Sequence, residues 1–394
     1  MAGIYIHIPF CASRCIYCAF YSTTSLDLRQ QYVDAVCQEL TLRGKWREVR
    51  GERNDSRAEN IDTIYLGGGT PSQLTIVQLH QIFDTIYNNV YSLTSHLSPL
   101  TSIPEITIEV NPDDITEDFA EGLRTLPVNR VSMGAQTFDD QRLKYLHRRH
   151  TAAQLAEAVR RLRTIGIRNI SIDLMYGFPD ETLSDWEHDI DAALALNVEH
   201  LSAYCLSIEE GTPLHRMIKG HNGDGNHCVL PDEETERAMY YLLKDRLEAA
   251  GFEHYEISNF ARPGFRSRHN SAYWNYTPYI GLGAAAHSFD GHTRSWNVAD
   301  IHQYMEGIQQ GKRLFDSETI EGDTRYNDLL TTALRTREGI DLNLLSDHQR
   351  DYCLRCARRF IDDGLLSLHL GHLALTRRGL FVSDMVISSL MLVT

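Results

Sequence analysis

The sequence predicts an α/β fold, in which a partial (β/α) barrel is followed by a small C-terminal α+β domain with winged-helix-like organisation. Three observations favour this fold class. Short apolar or β-branched runs alternate with longer helical patterns through the first two-thirds of the 394-residue chain. From about residue 300 the alternation stops, and helical patterns lead to a short hairpin instead. The composition, 42% hydrophobic and 23% charged, is that of a protein that buries a core.

The barrel prediction depends on six strand-like runs, at residues 4–7, 63–66, 105–110, 130–133, 170–174 and 200–206. Helical periodicity lies between them. The helix after Pro71 is expected to bury one face, which carries Leu74, Val77, Ile82, Phe83, Ile86 and Val90. A second helix carries Leu155, Ala158, Val159, Leu162 and Ile165, and ends at Gly166. Successive βα units form a parallel sheet, so ligands are expected at the carboxyl ends of its strands.

The predicted domain boundary separates a barrel at residues 1–295 from a C-terminal domain at residues 296–394. In the second part, helical patterns at 326–335 and 347–362 precede strand-like runs at 365–368 and 372–376. A winged helix can bind DNA. Here the hairpin tip reads His-Leu-Gly-His rather than basic, and the formal net charge is −15, so we expect no nucleic-acid partner.

The chain also has the features of a cytoplasmic protein. No segment approaches 18 uninterrupted apolar residues, so a membrane-spanning helix is not expected. The first residues, Met-Ala-Gly-Ile-Tyr, have neither a basic stretch nor an apolar stretch typical of a secretion signal. Peripheral association with a membrane stays open.

The strongest chemical signal is a C-x3-C-x2-C run formed by Cys11, Cys15 and Cys18, directly after the first predicted strand. Three thiolates on one loop can each hold one iron of a [4Fe–4S] cluster and leave the fourth iron to another ligand. A structural zinc site is the alternative. Zinc prefers four protein ligands, commonly as two separated pairs, and no second pair follows at that spacing.

These residues resemble the signature of radical S-adenosylmethionine (SAM) proteins. The surrounding stretches, Tyr5-Ile-His-Ile-Pro-Phe-Cys11 and Cys18-Ala-Phe20, are similar to the branch that contains oxygen-independent coproporphyrinogen III dehydrogenase and its haem chaperone relatives. The resemblance implies a partial barrel of the radical SAM type and an open iron that chelates the methionine moiety of SAM. It also implies that an electron from the cluster can cleave SAM to a 5′-deoxyadenosyl radical.

A glycine turn, Gly67-Gly-Gly-Thr-Pro-Ser72, closes the second predicted strand. The glycines allow a sharp turn and close approach of a ligand, and Thr70 is expected to cap the next helix with Pro71 at its first position. By itself the turn can be purely structural. Beside the cysteines, the resemblance makes it a SAM-binding turn. The residues implied to bind this cofactor are Tyr5, Tyr17, Gly68, Gly69, Thr70, Glu109, Gln136, Arg148 and Asp173.

Asp173 and Arg148 also have a structural interpretation. Asp173 interrupts an apolar strand, and a buried carboxylate needs a partner, which Arg148 or a ribose hydroxyl could provide. An ion pair of purely structural role is the alternative for both residues.

A later motif, His269-Asn-Ser-Ala-Tyr273-Trp274, distinguishes members within the branch. Taken alone, it could be an aromatic corner of the core. Imidazole is a good axial ligand for haem iron, however, and flat rings pack against a porphyrin. The motif resembles the haem-binding signature of the chaperones, which makes His269, Asn270, Tyr273 and Trp274 the haem-binding candidates. His287 is a lesser candidate for the iron ligand.

Two functions of different classes follow from the resemblance. One is a haem chaperone that binds haem and passes it to an acceptor protein; the other is a dehydrogenase that decarboxylates coproporphyrinogen III. Three departures from the dehydrogenase pattern favour the chaperone: Phe20 stands where that enzyme has a fourth cysteine, only ten residues precede Cys11 where that enzyme has a long N-terminal arm, and the His269–Trp274 motif resembles the haem-binding branch. The expected partners are haem, an acceptor such as a respiratory haemoprotein, and an electron donor such as flavodoxin or ferredoxin. A dimer and reductive cleavage of SAM stay open.

Overall fold

The structure, a computed structural model, describes residues 2–43, 61–90, 103–220 and 229–393. The first part alternates strands and helices. Its elements are, in chain order, β1 (Ala2–Ile8), α1 (Arg29–Leu42), β2 (Ile61–Gly68), α2 (Ile76–Val90), β3 (Glu105–Val110), α3 (Glu117–Leu123), β4 (Arg130–Gln136), α4 (Asp140–Tyr145), α5 (Ala152–Thr164), β5 (Asn169–Tyr176), α6 (Leu183–Ala195) and β6 (His200–Cys205). The strands β1 to β6 pair in sequence order, all parallel, as the predicted barrel requires.

The sheet continues beyond these six strands at both edges. The next elements are α7 (Pro213–Gly220), α8 (Glu233–Ala249), β7 (Glu253–Glu256), β8 (Asn259–Ala261), α9 (Arg268–Trp274), β9 (Tyr279–Leu282), β10 (His287–Phe289), β11 (Thr293–Asn297), α10 (Ile301–Gln309) and β12 (Phe315–Thr319). β7 and β8 extend the β6 edge, whereas β9 pairs parallel to β1 and leads to the antiparallel strands β10 to β12. The described part of the chain therefore forms one twelve-stranded open barrel sheet.

The outer helices begin where the sequence offers capping side chains and pack an apolar face on the sheet. In α5, Thr151 and Gln154 form a capping box, and Leu155 and Leu162 are fully buried. In α2 the expected buried face is partly wrong. Val77 is 76% exposed, and Leu79 takes its place in the core. Residue 77 lies about 200° from residue 79 around a helix, so the two cannot share a face. The side chain of Val90 lies outside the described residues.

A second core forms in the C-terminal part. Its elements are α11 (Gly322–Ala333), β13 (Ile340–Asp341), α12 (Asp347–Asp362), β14 (Leu366–His369), β15 (His372–Leu375), α13 (Arg377–Leu380) and α14 (Ser383–Leu390). Tyr326, Phe360 and Leu373 belong to this core, beside an antiparallel three-stranded sheet. This confirms the predicted α+β fold. Residues 301–319, on the C-terminal side of the predicted boundary, pack on the large sheet instead.

Within the residues described, no helix is long and apolar enough to cross a membrane.

Candidate functional site

A cavity of about 690 Å³ lies at the carboxyl ends of the parallel strands, and we call it the cysteine pocket. It is lined by the three cysteines of the C-x3-C-x2-C run. The structure brings eight of the nine predicted cofactor residues to the same lining, namely Tyr17, Gly68, Gly69, Thr70, Glu109, Gln136, Arg148 and Asp173. The ninth, Tyr5, lies elsewhere. Side chains far apart in sequence meet here because parallel strands end at one edge.

The cysteines are free thiols on the loop after β1. Cys11 Sγ lies 3.6 Å from Thr70 Oγ1, and Arg148 donates to Cys15 Sγ at 3.6 Å. Burial raises the pKa of the Cys11 and Cys18 thiols above the ordinary value of 9, so both are protonated when no metal is bound. No three His, Cys, Asp or Glu side chains of the described ranges surround one point as preformed metal ligands. Binding of a cluster would therefore require the three cysteine sulfurs to move closer together.

The glycine turn holds the cysteine loop against β2. Gly69 N donates to Ile8 O and Thr70 N to Phe10 O, both at 2.8 Å. A Cβ on Gly69 would lie 2.7 Å from the Pro9 carbonyl carbon, so no larger residue fits. Thr70 does not cap the following helical turn as expected. Its hydroxyl faces Cys11 and accepts from Asn111 instead, although Pro71 does occupy the first helical position.

Glu109 and Asp173 are two carboxyls on the inner side of the barrel. Glu109 accepts from Tyr65 Oη at 2.7 Å and from Gly68 N at 3.0 Å, yet burial raises its pKa to about 7. Burial also raises the pKa of Asp173, whose hydrogen bonds come from the hydroxyls of Ser202 and Ser132. Asp173 thus has hydroxyl partners within the protein, where the sequence left open a partnership with Arg148 or with a ribose hydroxyl.

Two buried arginines place positive charge in and beside the pocket, whose lining also contains Arg14 and Arg149. Arg148 donates to Asn111 Oδ1 at 2.9 Å and to Gly134 O at 2.6 Å, and its Nε has no partner within the described residues. The sequence did not single out Arg130, which is 1% exposed and whose charge lowers the pKa of both Glu109 and Asp173. A basic residue that opens an otherwise apolar strand is the signal that marks it.

Gln136 ends β4 at a register shift and adopts a positive φ of 69°. A non-glycine residue in this region of φ is uncommon and tends to mark functional sites. The side chain is largely buried and lines the cysteine pocket. The strained backbone therefore supports the prediction that Gln136 contacts a ligand.

A second cavity, of about 400 Å³, lies beside the first, and we call it the aromatic pocket. Its floor is one face of β1, β9, β10 and β11, and α9 and α11 form its wall. The lining residues are Tyr5, His7, Tyr273, Trp274, Tyr276, Thr277, Tyr279, Ala285, His287, Phe289, Arg294, Asp328 and Thr332. Tyr5 lies here, where its hydroxyl is 3.0 Å from His7 Nδ1.

The two pockets share a wall formed by His7 and Gly68. His7 lines the aromatic pocket, whereas Gly68 lines the cysteine pocket. Gly68 has a φ of +110°, and a Cβ at this position would lie 2.5 Å from the His7 ring. The His7 ring therefore packs on Gly68, and this contact lies between the linings of the two cavities.

The predicted haem motif is divided by the structure. Tyr273 and Trp274 line the aromatic pocket, but His269 and Asn270 do not. His269 is 2% exposed, with Nδ1 at 2.8 Å from Thr63 Oγ1 and Nε2 at 2.9 Å from Tyr273 Oη. Its ring stacks on Tyr65, and burial lowers its pKa to about 3. Iron could bind His269 only after one of these hydrogen bonds broke, so its role as a ligand stays a prediction.

Comparisons with known proteins agree along most of the chain. Residues 5–193 match the model of the radical SAM superfamily, and residues 320–382 match the HemN C-terminal domain. The chain is 35% identical to heme chaperone HemW of Bacillus subtilis, over 86% of this chain and 85% of that protein. Its identity to heme chaperone HemW of Mycobacterium tuberculosis is 33%, over 99% and 94% of the two chains.

A solved structure confirms the fold. The coproporphyrinogen III oxidase HemN from Escherichia coli superposes with a TM-score of 0.78 at 22% sequence identity. The match covers 99% of this chain and 90% of that chain. It includes both the open barrel sheet and the C-terminal core.

Proposed function

The chain belongs to the radical SAM superfamily and, within it, to the HemW family, and from this premise we propose that it binds haem and passes it to an acceptor protein. The observation that carries the proposal is the aromatic pocket. Flat rings surround a cavity that also contains an exposed imidazole, and both are suited to a porphyrin and its iron. Tyr273 and Trp274, from the predicted haem motif, line this cavity.

Superfamily membership implies a [4Fe–4S] cluster and SAM. We propose Cys11, Cys15 and Cys18 as the cluster ligands, because all three are free thiols on the lining of one pocket. When bound, the cluster supplies an electron for reductive cleavage of SAM. Arg148 would hold Cys15 in place and offer its unpartnered Nε to a ligand, and Glu109 and Asp173 would accept hydrogen bonds from polar groups of SAM.

The backbone of the cysteine pocket also suits a ligand. Gly68 and Gly69 line the pocket with main chain alone, because the His7 ring and the Pro9 backbone lie where a Cβ would stand, so a ligand in the pocket meets the backbone at these two positions. Tyr17, Thr70 and Gln136 add polar groups at the same lining. These five residues, with the charged ones above, are the proposed SAM contacts. Tyr5 would act from the aromatic side, through its contact with His7.

A coproporphyrinogen dehydrogenase activity is not favoured. The relatives that match most of the chain are named heme chaperones, and the likeness to the HemN oxidase shows the fold alone. Phe20, at the position of that enzyme's fourth cysteine, is 76% exposed at the rim of the cysteine pocket. A phenylalanine there cannot supply a ligand or a proton.

The proposal is tested by haem binding and porphyrin turnover in one anaerobic preparation. After the cluster is reconstituted, haem is titrated while the Soret band is recorded, and coproporphyrinogen III consumption is assayed alongside. We expect about one haem per chain, transfer of that haem to an added apo-haemoprotein, and no protoporphyrinogen. Protoporphyrinogen formation without stoichiometric haem binding would overturn the proposal. The native acceptor, the electron donor and a dimer stay predictions.

A further inference from the structure

The structure points to a specific iron ligand in the aromatic pocket. We propose that His287, rather than His269, supplies the axial nitrogen to the haem iron, and that His269 positions the pocket wall. This inference rests on the proposed haem-binding function and deepens it, because it names the atom that would hold the iron.

Three histidines lie in or beside the aromatic pocket, and two of them have no free nitrogen. His7 lies 3.0 Å from Tyr5 Oη through Nδ1 and 3.1 Å from Tyr21 O through Nε2. Both nitrogens of His269 are likewise hydrogen-bonded, and its ring does not reach the lining. His287 lines the pocket and is exposed, and neither of its ring nitrogens has a hydrogen-bond partner in the part of the chain that the structure describes.

The strand that carries His287 fixes its direction. His287 opens β10 and pairs across the sheet with Trp296 of β11, whose ring stacks on the imidazole at 5.7 Å and 27°. Phe289, two residues further along β10, projects to the same face and also lines the pocket. The imidazole is therefore held toward the cavity by one neighbouring ring while its nitrogens stay free.

The surroundings of His287 favour the neutral form that binds metals. Burial, with the nearby Arg294 guanidinium, lowers the pKa of His287 below its ordinary value of 6.5, although Glu318 acts in the opposite direction. A neutral imidazole presents an unprotonated nitrogen at pH 7, as iron coordination requires.

No other side chain that lines the aromatic pocket is as good a ligand for iron. Cysteine and methionine are absent from the described lining of the aromatic pocket. The tyrosines are poor phenolate donors, because burial raises the pKa of Tyr5 and Tyr273 far above 10 and that of Tyr276 to about 12. Trp274 instead offers Nε1, a buried donor without a partner among the described residues, to a polar group of the ligand.

His269 then acts through Tyr273. Its Nε2 hydrogen bond meets the Tyr273 hydroxyl, and the Tyr273 ring packs edge-on against Tyr279 at 4.6 Å. Both tyrosines line the pocket. His269 is thus a positioning residue, and its loss should disturb the wall without removing the iron ligand.

The test compares three histidine variants in haem titrations of the full chain, read by the Soret band and by electron paramagnetic resonance of the ferric complex. His287→Ala should lose the spectrum of a histidine-ligated iron and bind haem at least about tenfold more weakly. His269→Gln should keep the ligand-field signature of the wild type, with affinity reduced several-fold at most. His292→Ala, an exposed histidine in the same hairpin and outside the pocket lining, is the matched control and should behave as the wild type.

Chemical rescue sharpens the assignment. Imidazole added to His287→Gly should restore the histidine-type spectrum, whereas the same addition to His269→Gly should not change it. An unaltered spectrum in His287→Ala, or loss of axial ligation in His269→Gln with His287 intact, would overturn the inference. Absence of stoichiometric haem binding in the wild type would instead overturn the proposed function, so the two failures are distinguishable.

Discussion

The cysteine pocket and the aromatic pocket are neighbours that differ in how many of their polar groups have hydrogen-bond partners within the protein. In the cysteine pocket, Arg148 Nε has no partner within the described residues and Glu109 is a buried carboxyl whose pKa is about 7. In the aromatic pocket, Tyr5, His7 and Tyr273 are hydrogen-bonded among themselves or to His269. Among the described residues, the unpartnered charged group of the cysteine pocket suits a charged ligand, whereas the aromatic wall mainly offers shape, one free imidazole and the unpartnered Trp274 Nε1 donor.

The largest expected effect is loss of the iron–sulfur cluster from the cysteine pocket while haem binding in the aromatic pocket is retained. Cys15→Ala should abolish the [4Fe–4S] cluster, because the remaining thiols leave a second iron without a protein ligand. Iron and acid-labile sulfide analysis after anaerobic reconstitution measures this loss. Haem binding should persist, since no cysteine lines the aromatic pocket in the described part of the chain.

The control for this loss is Cys356→Ala, which removes a cysteine of α12 that belongs to neither lining and should keep the full cluster. Retention of a complete cluster by Cys15→Ala would refute the proposed ligand set. Loss of haem binding in the same variant would show that the pockets are not separable.

The second effect tests the wall between the pockets. Gly68→Ala should weaken SAM binding about tenfold, because a Cβ meets the His7 ring at 2.5 Å and positive φ costs a side chain about 1–2 kcal/mol. Isothermal titration with SAM gives the affinity. Gly264→Ala is the matched control: its φ is also positive, at +85°, but nothing lies within 4 Å of the new Cβ. Equal SAM affinity in Gly68→Ala and the wild type would contradict this prediction and would mean that the His7 ring moves away from the new Cβ at no cost to binding.

The smallest effect is a pH dependence of stability that arises from Glu109 in the cysteine pocket. Burial raises the folded-state pKa of this carboxyl from 4.5 to about 7. The folded state therefore binds the proton more tightly, so the Glu109 contribution to stability is present below pH 4.5 and is lost as pH rises through 7. The free energy of unfolding of the wild type minus that of Glu109→Gln should fall by up to about 1.4 kcal/mol per pH unit in this window.

Urea denaturation of both proteins between pH 5 and 8 measures that difference. Glu157→Gln serves as the control, because Arg160 holds the pKa of the exposed Glu157 carboxyl below its ordinary value, so it does not titrate in this range. A wild-type-minus-variant difference for Glu109 that stays flat with pH would contradict the assignment.

The sequence was sufficient for features that depend on local pattern and on parallel topology. The six strands, the C-terminal α+β core and the convergence of Gly68, Glu109 and Asp173 follow from hydrophobic period and from strand ends that share one edge. The sequence was insufficient where a side chain has several possible hydrogen-bond partners. The spacing of His269 and Tyr273 on a helix does not show that they bond to each other, nor that Thr63 occupies the other ring nitrogen.

Position within a strand was equally hard to interpret. Tyr5 and His7 lie on the same face of β1, and the pairing of β9 to β1 places both against the aromatic pocket. That pairing joins residues far apart in the chain, beyond the reach of periodicity. The prediction that Val77 is buried was wrong for a local reason. Its apolar character suggested burial, whereas its angle around α2 places it in solvent.

The aromatic pocket has one wall from the large sheet and one from the C-terminal core, because α11 contributes Asp328 and Thr332 to the lining while Arg294 of β11 pairs with Asp328. Any molecule held there contacts both cores at once. Its binding free energy then adds to the ion pairs that already join the two cores, such as Arg335 with Glu256 and Arg377 with Asp245. An occupied pocket should therefore raise the temperature at which both cores unfold, rather than that of one core alone.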